Sequence, residues 1–88
     1  MDVEWDPAKA KANQRKHRVS FADAAGVLFD PEALVMEDPD AEDEQRHVAL
    51  GMDHLGRVLV VVFSYRGEAV RLISARKASP GERRQYEG

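Results

Sequence analysis

The apolar run from Val58 to Phe63 constrains the fold more than any other feature of this chain of 88 residues. Its six residues are far fewer than the roughly 20 that a membrane-spanning helix needs. With its neighbours from Arg57 to Tyr65, the run is typical of a strand covered on both faces, because a strand with one solvated face alternates apolar and polar residues. The sequence therefore predicts a central strand with protein on both sides.

Capping and turn signals divide the rest of the chain into short elements. Asp6-Pro7 predicts a helix start, with Asp as the N-cap, and the helix is expected to run to about His17. Ser20 is expected to cap a second helix, which Asp30-Pro31 ends. Ser79-Pro80-Gly81-Glu82 is a capping box that starts a short C-terminal helix. Four strands are expected between these helices, at residues 33–36, 46–52, 57–65 and 69–75.

This order of elements predicts an α+β fold. Short connections between the strands favour an antiparallel meander, so we expect two N-terminal helices packed on one face of a four-stranded, mainly antiparallel sheet. The length leaves room for one domain, residues 1–88. A chain this short buries only roughly 60–65% of its unfolded surface, so a partner that covers an apolar face is expected to stabilise it.

Several functional classes find no support in the sequence. The chain has no cysteine, and its three histidines, His17, His47 and His54, lack the spacing of a zinc site, so no metal is expected. No glycine-rich phosphate-binding motif occurs, and no cofactor is expected. The acidic start, Met1-Asp2-Val3-Glu4, does not resemble a signal peptide, and a cytoplasmic location is expected.

The net charge of −3 conceals two segregated groups of charges. Residues 37–44 contain six acids and no base, and they predict a mobile, solvated loop. The remaining residues carry 13 bases against ten acids, and residues 9–18 carry five bases and no acid. A polyanion could bind such a basic surface despite the acidic pI, although lysines and arginines on a short helix also serve solubility alone.

The last predicted strand carries cations to the edge of the sheet. Arg76-Lys77 follows its apolar part directly and precedes the C-terminal helix. Arg71 is expected to be partly buried, so it either forms an internal salt bridge, to Asp6 or Glu68, or waits for an anion such as phosphate. Strict alternation predicts two faces of this strand: Arg71, Ile73 and Ala75 on one, and Val70, Leu72 and Ser74 on the other.

The first helix carries a polar stripe where a buried stripe is normally found. Lys9, Asn13, Lys16 and His17 lie at i, i+4, i+7 and i+8, so the stripe faces either solvent or a site. His17 is the histidine of the basic region and could exchange a proton, or it could simply end the helix. Tyr86 could point toward the site or pack the last helix onto the sheet.

These segments together resemble the BrnT-type toxins of bacterial type II toxin–antitoxin modules. The resemblance rests on three blocks: Trp5-Asp6-Pro7-Ala8-Lys9 with Asn13 and Lys16-His17; Arg71-x-Ile73-Ser74-Ala75-Arg76-Lys77-Ala78; and Glu82-Arg83-x-x-Tyr86. It implies a RelE-like ribonuclease fold, metal-independent RNA cleavage and inhibition of translation. It also implies a hetero-oligomer with a BrnA-type antitoxin, whose ribbon-helix-helix part alone contacts operator DNA.

The resemblance and the cations together predict a site for phosphodiester cleavage. In it the ribose 2′-OH attacks the adjacent phosphorus, arginines hold the non-bridging oxygens, and His17 and Tyr86 transfer protons. The expected catalytic residues are Lys16, His17, Arg71, Arg76 and Tyr86. The expected RNA-binding residues are Lys9, Asn13, Arg46, Lys77 and Arg83. The alternative is a non-catalytic module whose basic surface docks an acidic partner segment or nucleic acid.

Overall fold

The structure, a computed structural model, describes residues 1–40 and 45–88. In this part of the chain three α-helices flank a five-stranded sheet. The elements are β1 (Asp2–Glu4), α1 (Pro7–His17), α2 (Phe21–Ala24), a 3-10 helix (Ala25–Phe29), β2 (Leu34–Glu37), β3 (His47–Met52), β4 (Val58–Arg66), β5 (Ala69–Lys77) and α3 (Pro80–Glu87). None of these helices has the length and apolar character that crossing a bilayer requires.

The strand order β1-β5-β4-β3-β2 corrects the expected four-stranded sheet. Strands β2 to β5 form the predicted antiparallel meander, and the α+β class is confirmed. However, β1 adds a fifth strand that runs parallel to β5, with Val3 beside Val70. The sequence did not predict β1 because three residues are too short a run to establish a period, and its partner lies at the far end of the chain.

The two faces of the sheet are covered to different extents. The first face, which bears Val61 and Phe63, is buried under α1 and α2 in the main core. The second face, which bears Val58 and Val60, is covered in part by α3 through Tyr86. β4 is therefore buried from both sides over most of its length, which confirms the central strand predicted from its apolar run.

The helices begin where the capping residues predict. Asp6, Ser20 and Ser79 each accept a hydrogen bond from a backbone N–H in the first turn of their helix. The second helix is shorter than expected, because it keeps α-helical geometry only to Ala24. It then tightens into the 3-10 helix, which Asp30 ends as predicted.

The acidic segment, residues 37–44, is only partly a loop. Glu37 is the last residue of β2 and pairs with His47, which corrects the expectation that the whole segment is solvated loop. Asp38 continues this pairing, since its N–H donates to the carbonyl of Arg46. Residues 41–44, and with them the expected mobility of the segment, lie outside the described residues.

A β-bulge interrupts the pairing of β4 with β5. Val62 pairs with Ser74, but the next residue, Phe63, pairs with Leu72, so Ile73 is the extra residue of the bulge. An extra residue in one strand reverses the alternation of side chains beyond it.

The bulge corrects the two faces that strict alternation predicts for β5. Arg71 pairs with Ser64 and Arg76 pairs with Val60, so both arginines lie on the second face. Three apolar residues of β5 lie together in the main core on the first face: Val70, Leu72 and Ala75. Without the bulge, the five-residue interval between Arg71 and Arg76 would place them on opposite faces.

A buried amide joins α1 to the sheet. The Asn13 Nδ2 donates to the carbonyls of Val19 and Ala75 at 3.0 and 2.9 Å, and the Oδ1 accepts from the N–H of Ala75 at 3.0 Å. β1 ends beside Arg71, so it does not cover this stretch of β5. The Asn13 side chain thus takes the place that a neighbouring strand would occupy, and it satisfies main-chain groups that are otherwise orphaned.

Replacing Asn13 with Ala is expected to lower the free energy of unfolding by about 2–4 kcal/mol. The substitution leaves a buried N–H and two carbonyls without partners, and each such group carries a desolvation cost. Urea unfolding followed by circular dichroism measures the change. Gln14→Ala, at an exposed position of the same helix, is the matched control and is expected to change stability by less than about 0.5 kcal/mol. Equal midpoints for the two variants would contradict the structural role of Asn13.

Candidate functional site

Three elements that are distant in the sequence meet at one end of the sheet, which we call the rim. The antiparallel pairing of β4 with β5 places Lys77 beside Leu59, so the end of β5 lies next to the start of β4. The N–H of Ala78 then donates to the carbonyl of Val58 at 2.9 Å, and Ser79 starts α3 immediately afterwards. The rim therefore collects polar residues from the β3–β4 turn, β5 and α3.

A basic cleft of about 290 Å³ opens at the rim. Three cationic side chains line it, and none of its lining residues is acidic. The lining residues are Gly56, Arg57, Val58, Lys77, Ala78 and Arg83. Cations focused in a cleft raise the local concentration of anions, so this cleft suits a phosphate group. It brings together two of the predicted RNA-binding residues, Lys77 and Arg83.

Arg57 is the residue of this cleft that the sequence analysis missed. Its Nε and a terminal nitrogen donate to the buried Asp53 carboxylate at 2.9 and 2.8 Å, and Asp23 lies at 3.3 Å. These contacts fix the guanidinium at the mouth of the cleft, although they also neutralise part of its charge. The hairpin of β4 and β5 could have predicted the position of Arg57, because the first residues of β4 must lie beside the last residues of β5.

Arg76 stands on the second face beside this cleft and is already paired. Its two terminal nitrogens donate to the two carboxylate oxygens of Glu82 at 2.8 and 2.9 Å. Glu82 also accepts the N–H of Ser79 in the capping box of α3. The hydrogen bonds from Arg76, and then that from Ser79, lower the pKa of Glu82 to about 2, and the same pair raises the pKa of Arg76. A phosphate that binds Arg76 must therefore compete with Glu82.

A second pair of arginines flanks Ser64 farther along the second face. Arg71 pairs with Ser64 on one side, and the register of β3 with β4 places Arg46 opposite Ser64 on the other. Adjacent strands lie roughly 4.8 Å apart, so the two arginine Cα atoms are about 10 Å apart. Ser64 is fully buried, and its Oγ has no hydrogen-bond partner in the described part of the chain.

Arg71 is half-buried and forms no ion pair with any described residue. The internal salt bridge to Asp6 or Glu68, one of the two expectations from the sequence, is therefore absent. Arg71 and Arg76 share a face but lie roughly 13–16 Å apart along β5, from the rise per residue of a strand. They do not converge on one phosphate-sized point.

The hydroxyl of Tyr86 is held by a carboxylate. Its hydroxyl donates to Asp30 Oδ2 at 2.6 Å, and this bond, more than burial, raises the pKa of Tyr86 to about 12. The same oxygen of Asp30 accepts the N–H of Met52, and the ring of Tyr86 packs against the apolar cluster of the second face. Tyr86 therefore fastens α3 to the sheet and keeps its proton at neutral pH.

The predicted residues of α1 lie on a helix that contacts β5 at Ala75. Asn13 is buried with its amide committed to main-chain groups, while Lys9 and Lys16 are exposed and His17 is half-buried. No hydrogen bond or ion pair among the described residues joins Lys16 or His17 to the second-face residues Arg71, Arg76 and Tyr86. The structure thus brings Lys77 of β5 and Arg83 of α3 together in one cleft, and the place of Lys16 and His17 in the site stays a prediction. Among the described residues, no group of three or more His, Asp or Glu side chains could hold a metal ion.

The fold is a small α+β domain whose second sheet face and rim carry cations, an arrangement suited to an extended anion. A family model described as the ribonuclease toxin BrnT of type II toxin–antitoxin systems matches residues 5–82. The chain belongs to this family of ribonuclease toxins, and the resemblance seen in the sequence is confirmed.

A solved structure supports the same assignment. The 1.1 Å crystal structure of the Brucella abortus ribonuclease toxin BrnT is similar to this chain, with 34% sequence identity and a TM-score of 0.71. The match covers 90% of this chain and 97% of the Brucella chain. The comparison with curated proteins gave no match.

The Arg76–Glu82 pair is expected to stabilise the fold at neutral pH and to lose this effect in acid. The pKa of Glu82 falls from 4.5 to about 2 on folding, so the stabilisation is present above pH 4.5 and disappears as the pH drops toward 2. Because Arg76 is 44% exposed, solvent screening limits the effect to about 1 kcal/mol.

Urea unfolding of wild type and Glu82→Gln at pH 7 and pH 3 measures this contribution. The wild type is expected to lose more stability than the variant between these two pH values, since the variant has no carboxylate to protonate. Parallel losses in the two proteins would show that the pair does not stabilise the fold.

Proposed function

We propose that this BrnT-family chain is a metal-independent endoribonuclease of the cytoplasm that cleaves RNA and inhibits translation. A BrnA-type antitoxin neutralises it, and the ribbon-helix-helix part of that antitoxin carries the complex to operator DNA. Membership of a ribonuclease toxin family supports the activity. The position of the site rests on one observation: the bulge at Ile73 places Arg71 and Arg76 on the same open face of the sheet.

The RNA strand in this proposal lies across the second face. It enters at the basic cleft with Lys77 and Arg83, passes Arg76, and continues toward Arg71 and Arg46. Since Arg71 and Arg76 are separated by roughly 13–16 Å, they hold different phosphates of one strand rather than the same phosphate. Most of the binding energy is then electrostatic and independent of sequence.

The reaction is an internal displacement at the phosphate beside Arg76. The ribose 2′-OH attacks the adjacent phosphorus while the bond to the 5′ oxygen breaks, which yields a 2′,3′-cyclic phosphate and a free 5′-OH. Arg76, with Lys77 and Arg83 beside it, stabilises the negative charge that builds on the phosphate oxygens. This charge stabilisation needs no metal, because the guanidinium and ammonium groups supply the positive charge.

The two proton-transfer roles have unequal structural support. Tyr86 lies on the second face and carries its proton at neutral pH, so it can donate to the leaving 5′ oxygen if the strand reaches it. His17 accepts the proton that the 2′-OH releases, and Lys16 beside it adds positive potential; the sequence resemblance supports these two roles. The proposed catalytic residues are therefore Lys16, His17, Arg71, Arg76 and Tyr86.

One observation favours the alternative of a non-catalytic module. Arg76 already binds a carboxylate, because its two terminal nitrogens donate to both oxygens of Glu82. An acidic segment of a partner could replace Glu82 and dock at the rim with no RNA chemistry.

An RNA-cleavage assay in EDTA separates the two functions. Labelled RNA is incubated with the purified chain, free of antitoxin, with and without ribosomes. We expect cleavage in EDTA, with fragments that end in a 2′,3′-cyclic phosphate and begin with a 5′-OH. Intact RNA under both conditions would contradict the proposed ribonuclease activity and favour the non-catalytic docking module.

Arg76→Ala is expected to lower the rate of RNA cleavage by roughly a hundred- to a thousandfold, the usual effect of removing one charge-stabilising donor. Arg84→Ala removes an equal charge from an exposed position of α3 and serves as the control, with an expected change of less than about threefold. Melting curves of both variants verify that they are folded. If Arg76→Ala kept full activity and His17→Ala lost it, the result would show that the site lies beside α1 rather than at Arg76.

A further inference from the structure

Strand β2 is an edge of the sheet that lacks the usual protection against pairing. The opposite edge, β1, places two exposed acids, Asp2 and Glu4, on either side of its one inward residue. Charges of this kind discourage another chain from adding to an edge. β2 instead exposes three apolar side chains in a row: Leu34 at 44%, Val35 at 56% and Met36 at 61%. An open apolar edge of this kind is a template for another strand.

The main-chain groups of β2 define where a strand can add. Asp38 donates its N–H to the carbonyl of Arg46, which makes these two residues a hydrogen-bonded pair of the ladder. Such pairs alternate along an antiparallel ladder, so Met36 also bonds to β3 while Val35 and Glu37 direct their N–H and C=O groups outward. Two residues of β2 therefore offer free donors and acceptors at the edge.

Apolar surface lies on both sides of this edge. On the first face, Val35 borders a hollow of about 150 Å³ whose walls include Val27, Ala49 and Phe63. On the second face, Leu34 and Met36 project together beside the apolar cluster of the sheet. A strand that pairs with β2 would bury apolar side chains on both of its faces.

The charges around β2 indicate what kind of strand fits. Glu32 precedes β2, and Glu37, Asp38 and Asp40 end and follow it, with no base among residues 30–40. A second copy of this chain, paired antiparallel through β2, would place its Glu32 opposite Asp38 or Asp40 of the first copy, and facing like charges destabilise strand pairing. A segment with basic ends meets these acids favourably.

We propose that the antitoxin adds an extended segment to the free edge of β2 as a sixth strand, apolar in its middle and basic at its ends. The inference deepens the proposed function by naming the docking surface, and it rests on that function for the identity of the partner. Main-chain hydrogen bonds to Val35 and Glu37 hold the segment, and the hollow beside Val35 receives one of its side chains. The added strand covers the exposed apolar edge, which stabilises the toxin by mass action.

Val35→Pro tests this docking mode and Val35→Thr is the matched control. Proline removes the outward N–H yet is tolerated at a solvent-facing position of an edge strand, whereas threonine keeps both the N–H and the branched shape. Calorimetric titration with the full-length antitoxin is expected to give a Kd raised roughly tenfold or more by Val35→Pro and changed less than about threefold by Val35→Thr. In the wild-type complex, the amides of Val35 and Glu37 should gain protection from hydrogen exchange.

The outcomes distinguish the docking mode from the function on which it rests. RNA cleavage by free Val35→Pro is expected to equal that of the wild type, because the Val35 side chain lies on the first face of the sheet whereas Arg71 and Arg76 lie on the second. Equal Kd values for wild type and Val35→Pro, or unprotected edge amides in the complex, would overturn the proposed sixth strand. Neither result would affect the proposed ribonuclease activity. Protection that appears without antitoxin and rises with toxin concentration shows a second copy at the edge and also overturns the proposed sixth strand. A wild-type chain that cleaves RNA but binds no antitoxin overturns both the partner and its docking surface.

Discussion

The pairing of β4 with β5 is the constraint on which the rest of the structure depends. These are the two longest strands, and β3 and β1 each add to one of their outer edges. The bulge at Ile73 sets the direction of every side chain toward the end of β5. It turns Ala75 into the main core, where Asn13 binds its main chain, and it turns Arg76 to the open face. One extra residue thus fixes both the point where α1 contacts β5 and the face on which Arg76 lies.

The contact between Arg76 and Glu82 links the start of α3, the end of β5 and the candidate site. Glu82 holds the capping box of α3 with one oxygen and the guanidinium with both. A phosphate that takes Arg76 away from Glu82 leaves the cap at Ser79 in place. It removes the hydrogen bonds that contribute most to the lowered pKa of Glu82. Glu82 therefore orients the guanidinium of Arg76 in an ion pair at the candidate site.

The segregated charges fit two different partners on two different surfaces. The cations that line the rim and the second face suit RNA, whereas the acids on either side of β2 repel it and suit a basic segment. The net charge of −3 describes neither surface. In the proposed arrangement, the antitoxin binds at the sheet edge and RNA binds at the rim and the second face, so the two would not compete for every contact.

The sequence by itself determined the local elements and the family. Capping residues such as Ser79 and Glu82 act within one helical turn. The apolar run from Val58 to Phe63 must be buried on both faces. Both features could therefore be predicted from the sequence alone. Tertiary structure alone decided the fifth strand, the faces of β5 and the grouping of Arg71 with Arg76 on one face. β1 depends on a partner almost seventy residues away, and the bulge at Ile73 arises from the register between two strands. Because alternation is a property of one strand and a bulge is a property of a pair, the sequence identified the arginines but not the face they share.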